Sequence, residues 1–133
     1  MRADNLPESP DSLTSLNETM GFWIHMTDAD TLDVTGNVPT TTNISLSTNA
    51  GGWNLVSYPA SVNRDLPFAL SNNGVGTDFS LVYSYRAHDV SDPWKLYNRT
   101  IPPVYNDLTT MSPGWGYWVK VSANHTWSVN YLP

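Results

Sequence analysis

The residues best suited to binding chemistry in this sequence are tryptophan and tyrosine side chains that lie beside turn-forming residues. The chain of 133 residues contains six Trp and seven Tyr. Their rings have apolar faces that can stack on sugars, and neighbouring Asp or Asn side chains can bond sugar hydroxyls. Rings next to Pro, Gly and Asp lie in turns, where side chains more often reach solvent. This pattern predicts a carbohydrate-binding surface formed by Trp94, Tyr97, Trp115 and Asp92.

The same ring types have an alternative role as core residues. A small β domain with only three Ile can use aromatic side chains to fill its interior, and we expect this for Trp53 and Phe79. Trp23 and Trp118 pose a separate question, because each lies on the strand face opposite an apolar triad. We expect these two rings either to be covered by a second layer, such as a neighbouring module, or to be exposed.

Clusters of Asp residues raise the question of a calcium site, since carboxylate oxygens are ligands that Ca²⁺ prefers. Asp28, Asp30 and Asp33 lie close together, but their spacing is not that of an EF-hand, and a turn is the preferred interpretation. Asp89 and Asp92 are likewise interpreted as turn residues that cap backbone N–H groups. We therefore predict no metal and no other cofactor, with calcium at either cluster left open as an alternative.

No set of residues in the sequence indicates an enzyme. The chain has no Cys, which excludes disulfides, thiolate ligands and a Cys nucleophile. His25, His88 and His125 match no zinc-binding spacing. The two Glu lie within the first eighteen residues, so the paired carboxylates of a glycosidase would have to be Asp, and no pair stands out. We predict no catalytic activity, and a small hydrolase is the least favoured alternative.

Charge and hydropathy limit the classes of partner. The net charge is −6 with a pI of about 4.6, and no basic cluster is present to contact phosphates, so we expect no nucleic-acid partner. No apolar run is long enough to span a membrane, so no membrane insertion is expected. The polar first twenty residues do not resemble a signal peptide, which suggests a piece of a longer protein. Four glycosylation sequons are compatible with an extracellular location: Asn17, Asn43, Asn98 and Asn124.

Two stretches of the chain resemble each other without a gap. Aligning Leu13 with Leu108, an offset of 95 positions, also aligns Gly21 with Gly116 and Trp23 with Trp118. In both copies (MGFWIHMTDADTL at 20–32, WGYWVKVSANHTW at 115–127) the alternation predicts a hairpin of two strands. We interpret residues 11–36 as the terminal hairpin of a preceding repeat and residues 37–133 as a complete β module, the two packed as one compact domain. Residues 1–10 are expected to be a disordered leader.

Short strand patterns separated by frequent turn signals indicate the fold class. They predict an all-β fold, a sandwich or open barrel of about 8–9 short, mostly antiparallel strands with at most one short helix. The helix is expected within residues 63–74, with Pro67 in its first turn. Residues 78–86 alternate Phe79, Leu81, Tyr83 and Tyr85 with other side chains, which is typical of a half-buried strand.

Three motifs carry a family resemblance: Gly-Trp-Asn-Leu at 52–55, Asp-Pro-Trp at 92–94 and Gly-Tyr-Trp at 116–118. Over about residues 44–130 the chain resembles a β module that is repeated in large secreted or surface-anchored proteins of archaea and bacteria. There it occurs beside polycystic-kidney-disease-like, fibronectin-like and other stalk or adhesion domains. The resemblance implies an extracellular or cell-surface location, with neighbouring modules of the same chain as partners, and it assigns no catalytic residue.

The expected function follows from these observations together. We expect a non-catalytic structural or adhesive module of a prokaryotic extracellular surface protein. The alternative is a carbohydrate-binding module whose exposed Trp and Tyr side chains bind cell-wall or extracellular polysaccharide.

Overall fold

The computed structural model describes residues 13–133, and the expected leader over residues 1–10 lies outside them. The described residues form eight strands and one short α-helix: β1 (Thr41–Leu46), β2 (Trp53–Ser57), β3 (Arg64–Asp65), α1 (Phe68–Leu70), β4 (Phe79–Tyr85), β5 (Trp94–Asn98), β6 (Thr110–Met111), β7 (Gly116–Val121) and β8 (His125–Asn130). Short 3₁₀ segments lie at Ala50–Gly52 and Pro103–Tyr105, and a π-helical segment follows α1 at Ser71–Val75. The prediction of an all-β fold with one short helix is confirmed, and Pro67 directly precedes the helical turn. No helix in this part of the chain is long and apolar enough to cross a bilayer.

The strands form one four-stranded antiparallel sheet and two antiparallel pairs. The large sheet has the order β2-β7-β4-β5, while β1 pairs with β8 and β3 pairs with β6. One face of β1 is buried, at Thr42, Ile44 and Leu46, because the β1–β8 pair packs on the same core as the inner face of the large sheet. The result is an open sandwich, since the sheets do not close into a barrel.

The core between these layers contains both aliphatic and aromatic side chains. Trp127 of β8 is fully buried, stacks on Tyr58 at 6.1 Å between ring centroids, and donates its indole N–H to the Ala69 carbonyl at 2.8 Å. This bond satisfies the one polar atom of a buried Trp. Leu108 of the β5–β6 connection and Met111 of β6 also fill the core.

An irregularity in β4 decides which of its side chains face the core. The register of β4 against β7 shifts between Phe79 and Leu81. Phe79 is buried before the shift, but after it Val82 and Ser84 are the buried residues. The extra residue of a bulge moves every later side chain to the opposite face. The uniform alternation expected along this strand was therefore wrong beyond Phe79, and both of its tyrosines lie on the outer face of the sheet.

Neither of the two similar stretches forms the predicted hairpin. Residues 115–127 do contain two strands, but β7 pairs with β2 and β4, whereas β8 pairs with β1 on the other layer. Residues 20–32 contain no strand, and their one pairing is an isolated bridge between Met20 and Val56. From position 22 to 40 every residue is exposed. An amphipathic pattern becomes a strand only where partner strands supply a continuous ladder of hydrogen bonds. The second stretch has such partners, whereas the first has only the bonds of one isolated bridge to β2.

Candidate functional site

Five aromatic side chains share the outer face of the large sheet. Residues directly opposite each other in an antiparallel pair place their side chains on the same face. Trp118 of β7 lies opposite Leu55 of β2 and Tyr83 of β4. Tyr85 of β4 lies opposite Trp94 of β5. Together with the first residue of β2 they form what we call the aromatic face: Trp53, Tyr83, Tyr85, Trp94 and Trp118.

The rings of the aromatic face are inclined to one another. Trp94 meets Tyr85 at 5.0 Å and 68° and Tyr83 at 6.3 Å and 87°. Trp53 meets Tyr83 at 5.9 Å and 45°. Tilted and edge-to-face contacts are the arrangements that ring quadrupoles favour. Because the rings are not coplanar, they form the walls of a shallow groove and not a flat platform.

The groove is an open depression of about 570 Å³ lined by Ala50, Trp53, Tyr83, Trp94 and Trp118. All five lining residues are uncharged. Lys120 lies beside the groove, with its Nζ 5.4 Å from the centre of the Trp53 ring. Trp94 is 44 % exposed, so its ring presents substantial apolar surface to solvent. Such a concave site, with apolar walls and polar groups at its margin, is typical of small-molecule and glycan recognition.

Of the four residues predicted to bind a ligand, only Trp94 lies on the aromatic face. Tyr97 follows it on β5 by three positions and therefore points to the inner side, where its ring stacks on Phe79 at 6.2 Å. Burial raises the pKa of the Tyr97 hydroxyl. The structure thus separates these two rings by the thickness of the sheet, and they cannot contact the same sugar.

Trp115 and Asp92 make contacts of their own away from the groove. The guanidinium of Arg86 lies 3.8 Å from the centre of the Trp115 ring, a cation–π contact that covers one ring face. Asp92 lies in the loop before β5 and accepts a hydrogen bond from Lys95 Nζ at 3.0 Å. The expectation that Trp94, Tyr97, Trp115 and Asp92 share one surface is therefore corrected.

The sequence assigned one residue of the aromatic face to the core and left two others unassigned. Trp53 was expected in the interior with Phe79, but only Phe79 is buried there. Tyr83 and Tyr85 were missed as site residues because the bulge that turns them outward leaves no mark in the alternation. The available signal was Trp118, since its position opposite an apolar triad predicted an aromatic side chain on the outer face.

The acidic clusters are turn residues in the structure. In the described residues no three His, Asp or Glu side chains come close enough to hold a metal ion. Asp30 accepts a hydrogen bond from the backbone N–H of Thr31 at 2.8 Å. Asp89 accepts bonds from the backbone N–H of Asp92 at 3.2 Å and from Ser91 Oγ at 3.0 Å. Such contacts are those expected of Asp in turns.

No protein family, curated protein or solved structure matches this chain. The function is therefore inferred from the aromatic face and its surroundings.

Proposed function

We propose that this chain is a non-catalytic adhesive module that binds carbohydrate through the aromatic face. The observation that carries the proposal is the placement of five rings on one sheet face, four of which (all but Tyr85) line an uncharged depression of about 570 Å³. Sugars present apolar C–H faces and polar edges, and ring side chains complement the former while leaving the latter hydrated. Uncharged walls favour a neutral glycan.

The inclination of the rings supports a single glycan chain as the ligand. A crystalline polysaccharide surface needs coplanar rings, whereas Trp94 and Tyr83 meet at 87°. A groove of this shape instead surrounds one chain on two sides. A binding role is also supported over hydrolysis, because a glycosidase needs two carboxyl groups in its cleft and the groove is lined by uncharged residues.

The proposed setting is an extracellular or cell-surface array of modules. It rests on the resemblance of three motifs to the repeated surface modules of archaea and bacteria, on the sequons and on the acidic, cysteine-free composition. All three motifs contribute directly to the groove, since Trp53, Trp94 and Trp118 lie within them and line it. A module whose characteristic residues form a binding surface is suited to adhesion.

A second candidate function is contact with a neighbouring module through the same face. It is favoured by one observation: the ring of Trp23, from the segment before β1, already contacts Tyr85 at 4.8 Å and Trp94 at 5.8 Å. A peptide segment can therefore use these rings as a docking surface. Binding assays with glycans and with neighbouring modules distinguish the two functions.

The test is titration of the intact chain with neutral hexasaccharides of glucose, mannose and N-acetylglucosamine, after a glycan array has been screened. Trp94→Ala removes a half-exposed ring and is expected to weaken binding about tenfold, because ring stacking contributes about 0.5–1.5 kcal/mol beyond area burial. Tyr105→Ala is the control, since that residue is 73 % exposed, lies in the β5–β6 connection and does not line the groove.

Tryptophan fluorescence and calorimetry report the affinity, and circular dichroism reports the fold of each variant. Equal affinities for Trp94→Ala and the unaltered chain would place the ligand elsewhere. Failure of the unaltered chain to bind any glycan would contradict the carbohydrate proposal and leave the module-contact function.

A further inference from the structure

A segment that precedes the first strand lies across one end of the aromatic face. We call residues 17–24 the strap. Its first half runs antiparallel to the outer edge of β2: the Ser57 N–H donates to the Thr19 carbonyl at 3.2 Å, and the Gly21 N–H donates to the Leu55 carbonyl at 3.4 Å. The Ser57 hydroxyl also donates to the Glu18 carbonyl. The strap therefore lies along the edge of the sheet, attached through one isolated β-bridge and not as an added strand.

The strap leaves the edge at Gly21 and passes onto the face of the sheet. A side chain at Gly21 would place its Cβ 2.7 Å from the Val56 carbonyl oxygen, so only glycine fits there. Gly116 of β7 lies directly beneath, since a Cβ at that position would lie 3.7 Å from the Gly21 Cα. The two glycines allow the two backbones to approach closely, and the chain crosses the sheet at this point.

Beyond this crossing the strap reaches the rings. The Trp23 ring contacts Tyr85 at 4.8 Å and Trp94 at 5.8 Å, with interplanar angles of 55° and 57°. Phe22, Trp23 and Ile24 also line a second depression, of about 290 Å³, together with Trp115 and Trp118. Trp23 thus occupies surface of two of the five rings that the proposed function assigns to a glycan.

The strap is held by few contacts. Its two backbone bonds to β2 are at the long end of the hydrogen-bond range, and Trp23 remains 43 % exposed. The residues that follow, up to position 40, are all exposed, so the strap is tethered by a segment that lies on the surface. Segments with few buried apolar contacts and solvent-exposed hydrogen bonds open at low free-energy cost.

We infer that the strap is a built-in competitor that covers one end of the aromatic face, with Trp23 in the place of a sugar ring. This inference rests on the proposed function. A glycan that extends from the groove over Tyr85, and so covers the whole aromatic face, must displace Trp23 from Tyr85 and Trp94. The apparent affinity for such a glycan is reduced to the extent that the strap is docked. Removal of the strap from the face therefore increases affinity.

Two variants of the intact chain are expected to uncover the end of the aromatic face that the strap covers, each by a different change. Trp23→Ala removes the competing ring, and Gly21→Val prevents the close approach to Val56 that docks the strap. Both are expected to bind the best hexasaccharide of the panel about two- to tenfold more tightly than the unaltered chain. Val34→Ala is the matched control, because Val34 is 81 % exposed in the same segment outside the strap.

Hydrogen exchange gives an independent readout of strap displacement. The Gly21 and Ser57 amides make the bonds that dock the strap, so saturating hexasaccharide is expected to accelerate their exchange while the amides inside β7 stay protected. Unchanged or weaker affinity in both variants, or unchanged exchange at Gly21 on binding, would overturn the inference and make Trp23 part of the binding surface. Absence of binding by every variant would instead overturn the proposed function itself, and the strap inference with it.

Discussion

At the scale of single residues, the loop between β4 and β5 is organised by one cation and two carboxylates. Lys95 Nζ lies 2.9 Å from Asp89 Oδ2 and 3.0 Å from Asp92 Oδ2. Hydrogen bonds from Lys95, Ser91 and the backbone of Asp92 lower the pKa of Asp89 to about 2. The hydrogen bonds that Lys95 donates to the Asp89 and Asp92 carboxylates raise the pKa of Lys95. The charged forms of these groups therefore favour the loop conformation that precedes Trp94.

The pKa of Asp89 depends on Lys95, and we expect Lys95→Met to raise it toward the ordinary value for Asp. Because the pKa of Asp89 is lower in the folded chain than in the unfolded chain, the Asp89 carboxylate stabilises the fold. This stabilisation is complete at a pH above the pKa of the unfolded chain. It is lost as the pH falls through the folded value of about 2. The Asp89 carboxyl resonance measured by NMR between pH 1 and 6, roughly, reports the shift. Lys120→Met is the control; an unchanged Asp89 titration in Lys95→Met would contradict the assignment.

Tryptophan positions show what residue type alone can predict. Trp127 and Trp94 are both strand residues, yet the first is fully buried and the second is 44 % exposed. The sequence correctly placed Trp94 at the surface from its Asp-Pro neighbours, because turns lie in solvent. The same argument from turn residues gave Tyr97 this role, although it lies inside β5, where a spacing of three from Trp94 puts the two rings on opposite faces of the strand. The sheet face that each ring occupies thus follows from its position within the strand, and not from its neighbours in the sequence alone.

At the scale of elements, a glycine fixes the turn into β2. Gly52 is buried, has a φ of +81°, and a Cβ there would collide with the carbonyl oxygen of Val121 in β7. The position therefore requires both left-handed backbone and the absence of a side chain. It sets where Trp53 begins its strand, and hence where that ring enters the aromatic face.

We expect Gly52→Ala to destabilise the fold by about 2 kcal/mol or more, since left-handed backbone alone costs a non-glycine residue about 1–2 kcal/mol and the collision adds to it. Gly36→Ala serves as the comparison, because nothing lies within 4 Å of the added methyl group. Its effect on the free energy of unfolding is expected to stay within about 0.5 kcal/mol. Urea denaturation measures both, and equal stabilities would show that the turn adapts.

Strand existence was predictable from local pattern, but strand pairing was not. β4 and β7 fall where alternation predicted strands, within residues 78–86 and 115–127, and the helical turn after Pro67 lies within the predicted range 63–74. The pairing of β8 with β1 joins residues at opposite ends of the module, from Thr41↔Asn130 to Leu46↔His125. Only the tertiary fold specifies such a contact, and a short turn between β7 and β8 suggested the simpler hairpin.

At the scale of the whole molecule, the similarity of the two stretches does not extend to their structures. Tyr117 and Val119 of the second stretch are fully buried, whereas the aligned Phe22 and Ile24 are exposed. The duplication therefore gives no structural support to a repeat array, and the division of the chain into a preceding repeat and a complete module stays a prediction. The adhesive role is supported by the aromatic face and by the motif resemblance.

The buried core belongs entirely to residues after the strap. Every buried side chain in the described part of the chain lies between Thr42 and Val129. The earlier segment contributes two exposed backbone bonds, one bridge and the Trp23 ring contacts. A hairpin packed against the module would have added several kcal/mol of burial, but exposed hydrogen bonds and a half-exposed ring contribute far less.

We therefore expect a chain of residues 37–133 to fold and to be less stable than a chain of residues 13–133 by no more than about 2 kcal/mol. Two exposed hydrogen bonds contribute about 0.5–1.5 kcal/mol each and the ring contacts a similar amount, and the entropy of ordering the strap offsets part of this sum. Urea denaturation of the two chains gives the difference, and the m-values are expected to be similar because little apolar surface is lost. A difference above about 4 kcal/mol, or failure of the shorter chain to fold, would show that the strap is part of the folding unit. A strap attached that firmly would not be displaced by a glycan. The stability difference between the two chains therefore gives an upper limit on the free energy needed to displace the strap.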